Sequence, residues 1–226
     1  MLQAIIFDFD GVIVDSEPLH FQATQSVLAP LGIAVDFQIY QQECIGQPDV
    51  SNFQRLCAKH QLNTTEHSIK ELLAAKTQAY RQLLKSHKRA CAGVVDLIKN
   101  ASQHYPLAIC SGSFKNEIRE LLTCLDVEDL TPYFKEVIAI EDVPTGKPDP
   151  AGYRLAARRL EILPEFCLAI EDSPAGIIAA KTAGMTVLAV TTTHPREKLS
   201  LADYCTDSLS NVSPSDLPLL KAGLLN

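Results

Sequence analysis

The sequence predicts a doubly wound, parallel α/β sheet interrupted by an α-helical insertion. Three observations predict it. From residue 93 onward, short apolar runs alternate with helix-length amphipathic stretches, the order that builds a parallel sheet with helices on both faces. Between residues 16 and 90 no convincing strand pattern occurs, although several stretches carry helical periodicity. Composition agrees: 46% hydrophobic, 6% aromatic and no Trp suit an aliphatic α/β core better than an all-β sandwich. The 226 residues are therefore expected to form a Rossmann-like core, residues 1–15 and 91–226, with a helical domain at 16–90.

The elements follow in order. Residues 3–9 read as a buried strand, short and rich in β-branched side chains. Ser16 is the expected N-cap of the first helix, with Glu17 and Pro18 in its first turn. Leu19, Ala23, Val27 and Leu31 repeat at four-residue spacing and predict one apolar face, ended by Pro30 and Gly32. Residues 36–44, 49–60 and 64–87 read as polar-rich helices, the last with Ile69, Leu72, Leu73, Lys76, Tyr80, Leu83 and Leu84 near one stripe. Then come helix 93–104, strand 107–110, helix 114–125, strand 136–140, helix 149–162 and strand 167–171. Helix 174–183, closed by Gly184, precedes strand 186–190; a short segment near 203–208 and helix 214–222 finish the pattern.

Composition also excludes. A net charge of −7 gives no electrostatic footprint for nucleic acid or an anionic membrane. The N-terminal apolar run lacks a basic leader and is broken by Asp8 and Asp10, so it reads as neither signal peptide nor membrane span. Seven Cys (Cys44, Cys57, Cys91, Cys110, Cys124, Cys167, Cys205) form no C-x-x-C pair. They read as reduced core thiols in a reducing, cytoplasmic setting, with a redox or zinc role as the alternative. A monomer is expected.

In an open parallel sheet, ligands bind beyond the C-terminal strand ends. Strand one ends in Asp8-Phe9-Asp10-Gly11, strand 107–110 in Ser111-Gly112-Ser113. Strand 136–140 leads to Thr145-Gly146-Lys147-Pro148, and strand 167–171 to Glu171-Asp172-Ser173. Each has a plain reading: a turn, a helix cap by Ser113, a solvated lysine, an acidic helix start. Those readings do not explain why all four fall at strand ends in this order. Together they suit phosphoryl chemistry. Asp8 and Asp172 could hold a Mg²⁺ with oxygen ligands. Asp8 could attack phosphorus as a carboxylate nucleophile, and Asp10, two residues on, could move the proton as acid then base. Ser111, the Gly112 amide and Lys147 could hold the phosphoryl oxygens as charge spreads over them.

These residues resemble the haloacid dehalogenase superfamily of phosphohydrolases. Asp8-Phe9-Asp10-Gly11-Val12 is similar to its first motif, Ser111 to its second, Lys147 in Gly146-Lys147-Pro148-Asp149-Pro150 to its third, and Glu171-Asp172 to its fourth. The resemblance implies Asp8 as nucleophile and metal ligand, Asp10 as acid/base and backbone-carbonyl ligand, and Ser111 and Lys147 as phosphate binders. It further implies Asp172 as metal ligand, Glu171 supporting the metal through water, and Gly11 and Gly112 lining the phosphate. Asp15-Ser16-Glu17-Pro18-Leu19-His20 resembles the branch of sugar-phosphate phosphatases and β-phosphoglucomutases, in which a helical cap follows the first strand. His20 and Lys76 match cap positions that couple closure to Asp10 in the mutases; otherwise they are a helix-surface imidazole and a solvated lysine. Lys115, after the Ser-Gly-Ser turn, either touches substrate or is a first-turn surface residue.

Where the mutases carry an Arg after a Gly to grip a second phosphate, this chain reads Ile45-Gly46-Gln47-Pro48-Asp49-Val50. An Asp there would repel that phosphate by roughly a kcal/mol or more. The expectation is a Mg²⁺-dependent phosphatase acting on a small phosphorylated metabolite, a sugar phosphate, through an aspartyl phosphate. A β-phosphoglucomutase is the first alternative, and a non-catalytic protein that binds a phosphometabolite the second.

Overall fold

The computed structural model describes residues 1–45, 49–84, 89–125 and 127–223. In chain order its elements begin with β1 (Ala4–Phe7), α1 (Glu17–Leu28), α2 (Phe37–Glu43), α3 (Asp49–Lys59) and α4 (Glu66–Leu84). Then follow α5 (Val94–Ser102), β2 (Leu107–Cys110), α6 (Lys115–Cys124), β3 (Phe134–Ile138) and α7 (Ala151–Arg159). The last are β4 (Cys167–Glu171), α8 (Pro174–Ala183), β5 (Thr186–Val190), β6 (Tyr204–Thr206) and α9 (Asp216–Ala222). The chain divides into two compact units, Met1–Asp15 with Lys88–Asn226, and Ser16–His87.

The first unit is an α/β sheet of six parallel strands in the order β3-β2-β1-β4-β5-β6. β1 sits in the middle, with Ile6 registered against Ala108 on one side and Ala169 on the other. All four of its residues are buried, as a strand covered on both faces requires. Side chains alternate, so Ala4 and Ile6 join the cluster formed with Ala108, Ala169, Tyr153 and Ile177 beneath α7 and α8. α8 starts at Pro174 with the Ser173 hydroxyl accepting from the Gly176 N–H, and stops at Gly184 in the left-handed conformation. Here the cap and stop signals in the sequence set both helix ends.

Two strand bounds move. The first strand stops at Phe7 because Gly11, at φ +75°, turns the chain back through a tight loop in which the Gly11 N–H donates to Val14 O at 2.8 Å. β3 spans Phe134–Ile138 rather than 136–140: Asp142 accepts the Ala139 N–H at 2.9 Å and coils Ile140–Asp142 into a 3₁₀ turn. Ser113 does not cap α6. The N-cap position belongs to Phe114, whose N–H donates to Glu117 at 3.4 Å.

The second unit is all helical among its described residues. Its core gathers Leu28, Ile33, Tyr40, Phe53, Leu56 and Ile69. Ser16 occupies the N-cap position of α1 without a side-chain cap bond, its backbone already being helical at φ −88°, ψ −14°. The buried face of α1 is Leu19, Ala23, Thr24 and Leu28. Leu31 falls off that face because Ala29–Leu31 tightens to a 3₁₀ turn at Pro30, with fewer residues per turn. On α4 Lys76 is buried at 5% exposure rather than solvated, and pairs with Asp49 at 2.5 Å. Residues 46–48, the rest of the stretch compared with the mutase Arg segment, lie outside the described residues, as does residue 126.

Candidate active site

Hydrogen bonding carries the sheet one residue past two of its strand ends. The Asp8 N–H donates to Ile170 O and the Ser111 N–H to Ile138 O, both at 2.9 Å. Those bonds fix where the two side chains leave the sheet edge. Asp8, Ser111, Glu171 and Asp172 are all buried there. Lys147 arrives from the loop after β3 and bridges two of the acids, its Nζ 2.6 Å from Asp8 Oδ1 and 2.5 Å from Glu171 Oε1.

Glu171 is saturated. Oε1 also accepts from the Tyr153 hydroxyl at 2.7 Å, while Oε2 accepts the Asp172 N–H, the Ser173 N–H and the Ser173 hydroxyl at 3.1, 3.2 and 3.0 Å. Five donors to one carboxylate leave little to offer a metal directly, so Glu171 is a fixed anionic anchor for Lys147. Tyr153, fully buried on α7, contributes twice: its ring also lies 5.2 Å from the Lys147 ammonium.

The electrostatics are one-sided. Carboxylate oxygens of Asp8, Glu171 and Asp172 lie within 4.8 Å of one another, with Lys147 the cation between them. Burial, then the Glu171 charge, push the Asp8 carboxyl up from 3.8 to about 7, against the pull of Lys147. Burial and the neighbouring Asp8 hold Asp172 well above the usual carboxylate range. Lys147 is held charged: burial opposes its charge, but Asp8 and Glu171 outweigh it. Buried hard oxygen donors carrying more negative than positive charge are what a small divalent cation fits. Asp8 and Asp172 would hold it, with Glu171 behind them.

Asp10 takes a different position. The Ser113 hydroxyl donates to its Oδ2 at 2.7 Å, which ties the carboxylate to the turn after β2. That is what Ser113 does in place of capping a helix. Ser111 Oγ accepts the Ser113 N–H at 2.9 Å, so its own hydroxyl proton can be offered outward. Gly112 beside it is exposed, with no atom within 4 Å of where a Cβ would stand. Gly11 does more than turn the chain: a Cβ there would lie 2.0 Å from Asp172 Oδ2, so only glycine lets this loop reach the cluster.

The structure thus brings together Asp8, Glu171, Asp172 and Lys147, with Gly11 against Asp172 and Asp10 held from the β2 turn. Lys115 is drawn elsewhere, its ammonium 2.7 Å from Asp142. His20 and Lys76 belong to the helical unit, where His20 stacks on Tyr80 at 4.1 Å and Lys76 pairs with Asp49. Tyr153, Thr193 and His194 join the site from outside the four strand-end motifs. Thr193 and His194 follow β5 at the same sheet edge, so the strand-end rule extends to them. Tyr153 had no such signal, being one apolar position among several on a helix.

The comparisons with known proteins agree with this geometry. The family model described as haloacid dehalogenase-like hydrolase matches residues 5–190. Fructose-1-phosphate phosphatase YqaB of Escherichia coli (strain K12) is 33% identical over 80% of this chain and 92% of its own. Validoxylamine A 7'-phosphate phosphatase of Streptomyces hygroscopicus subsp. limoneus is 30% identical over 94% of this chain and 96% of its own. The crystal structure of CbbY from Rhodobacter sphaeroides in complex with phosphate is 28% identical, with a TM-score of 0.73 over 93% of this chain and 96% of that one. The chain belongs to the haloacid dehalogenase-like hydrolase family. Within it the chain is an enzyme of the phosphatase kind, a phosphoric monoester hydrolase.

Proposed function

We propose that this hydrolase is a Mg²⁺-dependent phosphatase that cleaves a small phosphorylated metabolite, a sugar phosphate, through a phosphoaspartate at Asp8. The observation that carries the reading is the buried Asp8 carboxylate, held by Lys147 at 2.6 Å within an acidic cluster, with a second carboxylate, Asp10, anchored two residues away. Binding alone needs no such nucleophile and acid pair. The two relatives above, a fructose-1-phosphate phosphatase and a validoxylamine A 7'-phosphate phosphatase, support a small phosphorylated metabolite, and the first of them supports a sugar phosphate.

The chemistry follows from the residues. Lys147 orients Asp8 Oδ1 and supplies positive charge for the phosphoryl oxygens as charge spreads over them. An Asp8 oxygen attacks phosphorus, and the bond to the leaving alcohol oxygen breaks. Asp10, anchored by Ser113, gives that oxygen its proton and then takes one from the water that attacks the phosphoaspartate; the bond from phosphorus to the Asp8 oxygen breaks, which frees phosphate and restores the Asp8 carboxylate. The Ser111 hydroxyl and the Gly112 amide donate to the phosphoryl oxygens. A Mg²⁺ held by Asp8 and Asp172 would offset the repulsion between carboxylate and phosphate.

The test is phosphate release over a panel of sugar phosphates, phosphoglycolate and nucleotides, with Mg²⁺ and with chelator. Release from sugar phosphates, abolished in Asp8→Asn, is the expected result. Unchanged release in Asp8→Asn would sink the mechanism. Glucose 6-phosphate formed from β-glucose 1-phosphate without matching phosphate release would make the chain a mutase.

A further inference from the structure

The turn after β5 touches the acidic cluster from a side that none of the four strand-end groups explains. Thr193 Oγ1 makes a short hydrogen bond to Asp172 Oδ2 and lies 3.1 Å from the Asp172 carbonyl oxygen. His194 Nδ1 lies 3.0 Å from that same carbonyl and 2.8 Å from Thr193 Oγ1. Both residues approach Asp172, whose exposure is 3%, and His194 is itself buried.

Proton counting fixes the direction of these bonds. A carbonyl oxygen only accepts, so His194 Nδ1 must carry a hydrogen to stand 3.0 Å from it. That hydrogen is shared with Thr193 Oγ1. The single Thr193 hydroxyl hydrogen then goes to the Asp172 carboxylate, the stronger acceptor. The result is a chain of donors, His194 Nδ1–H to Thr193 Oγ1–H to Asp172 Oδ2. The Thr193 methyl closes the arrangement from the other side, where a Cβ on Gly11 would meet Thr193 Cγ2 at 2.8 Å.

We propose that Thr193 is a positioning residue that fixes Asp172 through its Oδ2, holding the carboxylate as a preformed half of a divalent-cation site shared with Asp8, and that His194 sets the direction of the Thr193 hydroxyl. The inference rests on the Mg²⁺ reading given above. Hydrogen bonds behind metal ligands of this type are worth about 10–100-fold in metal affinity.

The experiment is Mg²⁺ titration of the full chain by calorimetry, with thermal melts alongside. Thr193→Val keeps the shape and the methyl but loses the hydroxyl; its Mg²⁺ Kd should rise about tenfold at a similar Tm. Thr193→Ser keeps the hydroxyl and should bind within about twofold of the parent on the same scale. If Thr193→Val does not fold, Thr193→Cys, which lacks the methyl as Thr193→Ser does but has only a weak donor in place of the hydroxyl, should bind Mg²⁺ about tenfold more weakly than Thr193→Ser. Unchanged Mg²⁺ affinity in the variant lacking the hydroxyl overturns the proposal. So does a loss in Thr193→Ser matched by retention in Thr193→Val, which would assign the effect to methyl packing. A parent chain that binds no Mg²⁺ would instead overturn the metal reading on which the proposal stands. Ring ¹⁵N shifts of His194 should report a neutral imidazole protonated on Nδ1; protonation on Nε2 alone would break the donor chain and overturn His194's part in it.

Discussion

At the scale of single residues, the folded chain holds Asp8 under conflict. Its carboxyl titrates at about 7 when folded against an ordinary 3.8, so between those values the folded state keeps a proton that the unfolded chain has released. Stability contributed by this group is therefore lost as pH rises through that window. Metal-free protein should melt progressively lower from pH 4 toward 7, measured in a chelator-containing pH series. Asp8→Asn removes the charge: its melting temperature should vary less with pH and at neutral pH exceed that of the metal-free parent. Phosphate release from the same variant should fall to background. Gly11→Ala meets two obstacles, a φ of +75° and an Asp172 oxygen 2.0 Å from the new methyl. It should cost about 1–3 kcal/mol of stability by denaturant melt and weaken Mg²⁺ binding with it.

At the scale of elements, α7 and α8 clamp Glu171 from two directions. Tyr153 on α7 donates to Oε1, and Gly176 in the first turn of α8 lies so close that a Cβ would meet Glu171 Oε1 at 1.8 Å. Tyr153→Phe keeps the ring beneath Lys147 and deletes the hydroxyl, so it should destabilise by roughly 1 kcal/mol while lowering kcat more than it changes KM. Steady-state kinetics beside a urea melt will separate the two effects. How much of this was legible varies by element. β2, β4 and α8 could be read to their ends because their apolar runs give way to Ser111, to Glu171-Asp172 and to Gly184, and β5 because its run gives way to Thr191. β3 was shifted because Ala139 and Ile140 continue its apolar pattern while Asp142 takes the Ala139 N–H and ends its extended course. Asp8, Ser111, Lys147 and Asp172 were legible as polar types at successive strand ends. Tyr153 was not, since its hydroxyl finds Glu171 only after α7 packs on the sheet.

At the scale of the whole molecule, the site is assembled from positions far apart in the chain. Lys147 meets Asp8 across 139 residues and Ser113 meets Asp10 across 103. No short segment contains a working fraction of it, so metal binding should report complete folding of the sheet. At a Mg²⁺ concentration of 100 times Kd, linkage should add about 2.7 kcal/mol to stability. Melting temperature should rise with Mg²⁺ and fall back on chelation; indifference to Mg²⁺ in the melt would count against the cation site.

The placement of β1 bears on synthesis. The earliest strand of the chain is an inner strand of the finished sheet, flanked by β2 and β4. As the ribosome extrudes the chain, Ala4–Phe7 has no neighbour on either edge until Leu107 emerges, and none on its second edge until Cys167. Until then the segment that leads into Asp8, the proposed nucleophile, is an apolar ribbon with at least one open edge, the kind of segment that is prone to aggregate. Ribosome-stalled chains ending before β4 should accordingly remain protease-sensitive at Asp8, and chains extended past α8 should become protected there.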